Sequence, residues 1–426
     1  MSDARGRRAA PRKKVARERA AVGNVARKPP PKMRAAASPT PAKSAQSYET
    51  VALVLQGGGA LGAYQCGVYQ ALHGAGIRPG WFAGTSIGAI NAAILAGNAP
   101  ERRIERLEEF WNTICEPAGP FNGAAEALRQ MIAWLPPNGA LSAWAGAMSA
   151  LGAIAQGQRG FFVPRSLPPF GATPGSVAAT SFYDTAPLKQ TLERLVDFDR
   201  INTGDVRLTV GATNVATGNF RYFDSAKERI RLEHVMASGA LPPAFAAVDV
   251  DGEPYWDGGI VSNTPLEYLL ESEPRRDTLV FQVDLWSAQG IVPKTLLDVL
   301  ERQKDIQYSS RTRLGTDVVA ARQRLRNSLG LLLEQIPSKY LAPALLADLK
   351  PWLCDRVFNI VHLIYRAKPY EEQFKDYAFG AGTMREHWEG GLEDMRRTLG
   401  RPEFFVPPPR EIGVVTHDIH RNPSKR

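Results

Sequence analysis

Hydrophobic and polar positions change period several times along this chain, and the changes mark alternating strands and helices. Residues 51–56 (VALVLQ) form a short apolar run stopped by three glycines, as expected of a buried parallel strand. From Ala60 the period lengthens, with Leu61, Tyr64, Val68, Ala71 and Leu72 on one face until Gly74 and Gly76 end the helix. Residues 81–86 (WFAGTS) predict a second strand, and Ile87, Ile90, Ala93 and Ile94 carry the next helix. A strand, helix, strand unit of this length demands a parallel pair with a right-handed crossover. A further helix follows with Leu107, Phe110, Trp111 and Ile114 on its inner face.

The middle of the chain is less regular. No charged residue occurs between Arg129 and Arg159, and Pro136, Pro137, Asn138 and Gly139 break that stretch in two. It reads as a pair of apolar helices over the sheet, with a lid or lipid-facing wall as the functional reading. A Gly/Pro-rich loop at 162–175 suits the rim of a pocket. Regular structure resumes with a helix capped by Asp184 or Thr185, strands at 207–213 and 220–223, a short helix before Pro242 and Pro243, and a buried strand in DTLVFQVDLW. From Lys294 the pattern turns to long, charged helices with one more strand at 357–365, so a soft boundary falls near Pro293.

Composition refines this outline. A chain of 426 residues with 44% hydrophobic content can bury one large α/β core and a smaller second unit. Residues 1–48 carry 13 Lys/Arg against Asp3 and Glu18, a surplus of +11 that exceeds the whole chain's +9. The high isoelectric point therefore belongs to this tail, which has too few large apolar residues to fold and is expected to be disordered. A basic arm of this kind suits peripheral contact with an anionic membrane, and nothing in the pattern suggests a nucleic-acid partner. It lacks the apolar stretch of a secretory signal peptide, and no segment makes a convincing transmembrane helix, so a cytoplasmic, membrane-associated location is expected. Residues 409–426 read as a frayed polar tail. Three scattered cysteines and six histidines without metal-ligand spacing argue against a disulfide framework or a metal site, and no cofactor is expected.

The candidate chemistry lies in three short motifs. Gly84, Thr85, Ser86, Ile87 and Gly88 form a G-x-S-x-G between a strand and a helix, the setting of a nucleophile elbow whose serine hydroxyl is pushed clear of the sheet. The loop of Gly57, Gly58, Gly59, Ala60, Leu61 and Gly62 fits a dinucleotide fingerprint, but the next strand ends in Gly84, Thr85 and Ser86, where an acid should hold the ribose. No Lys-Ser/Thr pair follows, so a phosphate-binding Walker loop fails as well. An oxyanion hole built from backbone N–H groups is the remaining functional reading. Ser86 needs a base, and none of His73, His234, His362, His387, His417 and His420 sits in a triad motif. Asp257, flanked by Trp256, Gly258 and Gly259, is the better candidate, in a tight loop that can bring a carboxylate against another backbone.

Together GGGALGAY at 57–64, GTSIG at 84–88 and DGG at 257–259 resemble the patatin-like phospholipase family, in the family's order, over roughly residues 51–285. The section from Lys294 resembles the C-terminal extension of a bacterial subset. The resemblance implies a three-layer α/β/α sandwich with a mainly parallel sheet at 49–293, and a mostly helical extension at 294–408 packed on it. It implies a serine lipid acyl hydrolase of the phospholipase A or lysophospholipase type, acting on lipid or other acyl esters. Ser86 would be the nucleophile, Asp257 the dyad base, and the backbone of Gly57, Gly58, Gly59 and Ala60 the oxyanion hole, with Gly62, Gly84, Gly88, Gly258 and Gly259 in support. One departure is Leu61, where the family's loop carries Lys or Arg. The alternatives are a non-catalytic lipid-binding or scaffold protein on the same fold, a storage-polyester hydrolase, and a dinucleotide enzyme.

Overall fold

The computed structural model describes residues 40–116, 155–366 and 375–419. The strands are β1 (Thr50–Leu55), β2 (Trp81–Thr85), β3 (Val163–Pro164), β4 (Tyr183–Asp184), β5 (Arg207–Asn214) and β6 (Phe220–Asp224). They continue with β7 (Val248–Val250), β8 (Glu253–Asp257), β9 (Thr278–Asp284), β10 (Phe358–Ile364) and β11 (Val414–Asp418). Among the described residues, nine of them form one sheet in the order β11-β10-β9-β1-β2-β5-β8-β7, with β6 also paired to β5. The run from β11 to β5 is parallel, and β6, β7 and β8 add an antiparallel edge. β2 and β9 are buried at every position, which is why their sequences are continuous apolar runs rather than alternating ones.

Side chains on the two faces of the sheet join two cores. Leu53, Leu55, Phe82 and Phe281 pack with α2 (Ala63–Gly74), α3 (Ile87–Ala96), α4 (Arg103–Cys115) and the helix Ala381–Leu399. Ala52, Val54, Ala83 and Val280 pack on the other face with Leu266, Leu269 and Leu270, and with Val319 of the long helix Leu296–Gln335. The result is the α/β/α sandwich that the strand-helix alternation implies. α2 and the helix Ala381–Leu399 meet backbone to backbone: a Cβ at Gly67 would lie 1.9 Å from Trp388 O, and one at Gly391 would lie 2.0 Å from Tyr64 O. Tyr64 and Trp388 then seal the contact through hydrogen bonds to Asp394 and Gln70.

Three expected boundaries change. The region after Lys294 is mostly helical, as expected, but it also builds part of the sheet: β10 pairs with β9 from Phe358↔Thr278 to Ile364↔Asp284. The polar tail expected at 409–426 contains β11, an edge strand paired with β10 from Phe358↔Val414 to His362↔Asp418. Its half-exposed positions leave only Val414 and Val415 as apolar signal, too little to mark a strand. At the other end, α1 (Pro41–Ala45) is capped by Thr40, and Tyr48 is buried, its hydroxyl accepting a hydrogen bond from Asn359 at 2.8 Å. The described fold thus begins at Thr40, inside the expected 1–48 tail, whose first 39 residues lie outside the described ones. The charge-free stretch expected to form a lid also lies outside them, except for its last residues.

Candidate active site

Ser86 follows β2 at φ 57° and ψ −127°, a conformation that a non-glycine residue keeps only when its surroundings impose it. Ser238, at the end of the short helix Leu232–Ser238, imposes it: the Ser86 N–H donates to both Ser238 O and Ser238 Oγ at 3.1 Å. The Ser238 hydroxyl in turn donates to Gly211 O at 2.6 Å. The two glycines of the G-x-S-x-G are required by contact. A Cβ at Gly84 would lie 2.2 Å from Gly88 O, and one at Gly88 would lie 2.2 Å from Leu55 O. Ser86 also caps α3, whose first N–H groups have no acceptor within the helix.

Asp257 reaches the same point from a distant part of the chain. β2 pairs with β5 at Thr85↔Gly211, and β5 pairs with β8 at Ala212↔Asp257, so the ends of three adjacent strands converge. Gly258 lets the loop pass over β5, since a Cβ there would sit 2.5 Å from Gly211 O and 2.8 Å from Thr85 Cγ2. The Gly259 N–H donates to Asp257 Oδ1 at 2.6 Å. Burial pushes the Asp257 carboxyl up to about 7, against hydrogen bonds from the Ser86 hydroxyl and the Gly259 N–H that hold it down. Oδ2 completes no hydrogen bond of good geometry among the described residues, so the contact with Ser86 is loose in the free protein.

The Gly-rich loop closes the third side. Gly57 is pinned: its N–H donates to Asn263 O at 3.3 Å, and its carbonyl accepts from Asn263 Nδ2 at 2.9 Å and Trp286 Nε1 at 2.8 Å. A side chain on Gly57 would meet Ser86 Cβ at 2.9 Å, which measures how near the loop lies to the serine. The N–H groups of Gly58 and Gly59 make no hydrogen bond among the described residues. Gly59 has φ +56°, and Asp376 O occupies the space where a Cβ would be, 2.3 Å away. Gly62 packs against Ile87 and Trp111 behind the loop. Asn91 ties this side down, donating to Gly62 O at 3.0 Å and Gln65 Oε1 at 2.9 Å while accepting from Trp111 Nε1 at 3.1 Å.

Ser86, Asp257, Gly57, Gly58 and Gly59 line one pocket that is partly open to solvent. Ala60 does not line it; it is buried behind the loop with its carbonyl 3.3 Å from His387 Nδ1. The far wall is aromatic: Phe162 and Phe245 have ring centroids 5.3 Å apart, and Phe161 and Phe379 5.9 Å. None of His73, His234, His362, His387 and His417 lines the pocket, and His420 lies outside the described residues. His234 is buried against Phe223, and burial with nearby Arg231 lowers its imidazole to about 4.

The sequence pattern did not reveal that the C-terminal region furnishes part of this pocket, through Tyr308, Asp376, Tyr377 and Phe379. Asp376 is held by Lys304 Nζ at 3.0 and 2.9 Å, while its neighbour Lys375 bonds Glu301 at 3.0 Å and Asp305 at 2.8 Å. Burial raises the Asp376 carboxyl, and Lys304 opposes the rise. Leu61 is fully buried in the core, so its position offers the loop no charge. A cation reaches this neighbourhood from elsewhere, through Lys304 on Asp376. The stretch YEEQFKDYAFG pairs Glu371 with Glu372 and Lys375 with Asp376 among aromatics, a composition that also suits an ordinary solvated face. Ser238, Asn263 and Asn91 carried no sequence signal beyond their chemistry.

A family model described as patatin-like phospholipase matches residues 53–270, and a second, described as patatin phospholipase, matches residues 306–411. Among solved structures, VipD from Legionella pneumophila is 18% identical over 80% of this chain and 67% of that one, with a TM-score of 0.30. The complex of SpcU with ExoU from the type III secretion system of Pseudomonas aeruginosa matches at 21% identity, with a TM-score of 0.23. That match covers 62% of this chain and 51% of the other, so this chain spans about half the length of that relative. No curated protein matches the chain.

Proposed function

The chain belongs to the patatin-like phospholipase family, a family of lipid hydrolases, and on that premise we propose that it is a serine lipid acyl hydrolase working through a Ser86–Asp257 dyad. The observation that carries this reading is a buried carboxyl held near pH 7 beside a conformationally constrained serine, at the floor of an aromatic pocket. A base with that pKa is half ionised at neutral pH and is matched to taking and returning a proton there.

In this mechanism the ester carbonyl lies over Ser86 with its acyl chain along Phe162 and Phe245. The Ser86 hydroxyl attacks the carbonyl carbon as Asp257 takes its proton. The oxyanion forms against the unspent N–H groups of Gly58 and Gly59, where each donor is worth about 10²–10³ in rate. The tetrahedral intermediate then collapses. Asp257 gives its proton to the departing alkoxide, the alcohol or lysolipid leaves, and the acyl group stays on Ser86. A water molecule surrenders its proton to Asp257, attacks the acyl-enzyme, and the fatty acid departs as Ser86 recovers its proton. Gly57 positions the loop rather than serving as a donor, because its N–H is already engaged by Asn263.

The test is a panel of phospholipids, lysophospholipids and short soluble acyl esters, assayed with wild type, Ser86→Ala and Asp257→Asn. Release of fatty acid by wild type, with a fall of at least about 10³ in both variants, supports the dyad. Full activity in either variant refutes it. The basic N-terminal arm supports a second, separable contact with anionic lipid: removing residues 1–39 should weaken binding to anionic vesicles and leave soluble-ester turnover unchanged. Unaltered vesicle binding would reject that role. No helix among the described residues is long and apolar enough to cross a membrane.

A further inference from the structure

Between the pocket residue Phe162 and the next pocket-side ring, Tyr183, the chain makes an ordered excursion that displays apolar side chains to solvent. Phe170 is 92% exposed, Leu167 62% and Val177 61%, with Val163 and Phe182 also exposed. Such a concentration of large apolar groups on one loop marks an interaction surface rather than ordinary scatter.

The excursion is closed at its neck and stiffened within. β3 and β4 pair antiparallel there at Val163↔Asp184 and Pro164↔Tyr183. The Arg165 N–H donates to Phe182 O at 3.0 Å, and Arg165 Nε donates to Ser181 Oγ at 3.0 Å. Short 3₁₀ turns at Pro169–Gly171 and Val177–Thr180 fix the two arms. Phe182 and Tyr183 donate from their N–H groups to Pro243 O at 3.3 Å and Ala244 O at 3.0 Å, which ties the neck to the pocket wall. The fold therefore holds these side chains outward in a defined arrangement, as a compact functional loop does.

Two observations identify what the surface meets. The first is continuity. The Tyr183 ring lies 4.8 Å from that of Phe162, and Phe162 lies 5.3 Å from Phe245 inside the pocket, so apolar surface runs from the excursion to the serine's chamber. The second is charge. Arg165 is the only charged residue between positions 160 and 183. A bilayer asks for apolar insertion beside a cation near its phosphates, and exposed Phe170, Leu167 and Val177 next to Arg165 supply both. We propose that residues 163–182 are the surface by which this protein docks on a zwitterionic phospholipid bilayer, with Phe170, Leu167 and Val177 entering the acyl region and Arg165 at the phosphates. A lipid drawn from that bilayer then passes along Phe162 and Phe245 to Ser86 without crossing water. The proposal rests on the lipid-hydrolase reading for its purpose, but its test does not depend on catalysis.

The experiment is flotation of the full chain with phosphatidylcholine vesicles, which carry no net charge and so leave the basic arm without an electrostatic target. It uses a Ser86→Ala background to prevent lipid breakdown. Ser86→Ala should float, and the further change Leu167→Asp with Phe170→Asp should reduce the bound fraction at least about tenfold. In a Ser86 background the same two aspartates should leave turnover of a soluble ester unchanged, which reports an intact fold. As a second readout, Phe170→Trp should gain fluorescence quenching by brominated-chain phosphatidylcholine over the parent. Equal flotation with and without the aspartates, no flotation of Ser86→Ala, or no added quenching would overturn the proposal. So would a loss of self-association on introducing the aspartates, which would assign the surface to a second copy of the chain. If wild type hydrolyses no ester while Ser86→Ala still floats in a Phe170-dependent way, the catalytic reading fails and the docking surface stands.

Discussion

Replacing Asp257 by asparagine should abolish turnover and also make the fold more stable, by an amount that grows with pH. Burial raises this carboxyl from an ordinary value of 3.8 to about 7 in the folded protein. The folded state therefore holds the proton more tightly than the unfolded chain does. Below about pH 4 both states are protonated and the effect vanishes. Between about pH 4 and pH 7 the fold is penalised by about 1.4 kcal/mol per pH unit, and above that the penalty is constant. From pH 5 to pH 8 it thus grows by about 3 kcal/mol, and asparagine, which can still accept from the Gly259 N–H, carries none of it. With about 2.1 cal/mol/K of unfolding entropy per residue, a body of this size converts that into a Tm difference of about 4 °C. Differential scanning calorimetry of wild type and Asp257→Asn at pH 5, 6, 7 and 8 makes the comparison. The variant's advantage should widen with pH and level off above pH 7. A gap that is constant or shrinks with pH would mean that the carboxyl is not held out of its ordinary range, and the base assignment would lose its physical ground.

Further consequences follow from the same geometry. The pH dependence of kcat/KM on a soluble ester should show an acid limb with an apparent pKa of about 7, because ionised Asp257 is the active form; a limb near 4 would contradict it. Lys304→Ala removes the cation on Asp376 and so loosens the wall against Gly59; Lys304 is about one third exposed. KM for a pocket-filling ester should rise about two- to fivefold, with Lys304→Arg close to wild type, and an unchanged KM would show that the clamp does not shape the pocket. A chain cut at residue 293 loses β10, β11 and the helix packed on α2, and leaves β9 as a bare apolar edge. It should yield no soluble protein with a cooperative melt, and a well-behaved fragment would restore the boundary that the sequence pattern suggested.

How legible the molecule was follows from where each signal lies. The parallel core could be read because β1, β2 and β9 are buried on both faces and leave unbroken apolar runs, each stopped by glycine or polar residues. The elbow and the Gly-rich loop were visible because close backbone contacts, such as Gly88 against Leu55 O, admit no side chain and so write glycine into the sequence. Asp257 stood out by its flanking Trp256, Gly258 and Gly259 and by the lack of a histidine in a triad motif, but its approach to Ser86 depends on a three-strand register that no local pattern encodes. β11 escaped notice because its edge position leaves four of its five residues half-buried, so only Val414 and Val415 give it an apolar signal. Asp376 and Tyr377 escaped because contact with the Gly-rich loop joins residues more than 300 apart, and a buried ion cluster has the composition of an exposed one.

The central claim, that Ser86 is a nucleophile activated by Asp257, is tested most directly by labelling the intact protein with a fluorophosphonate and locating the adduct by peptide mass spectrometry. Wild type should carry one phosphonyl group on Ser86, formed at a rate that climbs with pH through a midpoint of about 7. Asp257→Asn should label at least about 10³ more slowly, and Ser86→Ala should not label there. An adduct on another residue, or equally fast labelling of Ser86 without the Asp257 carboxylate, would contradict the account.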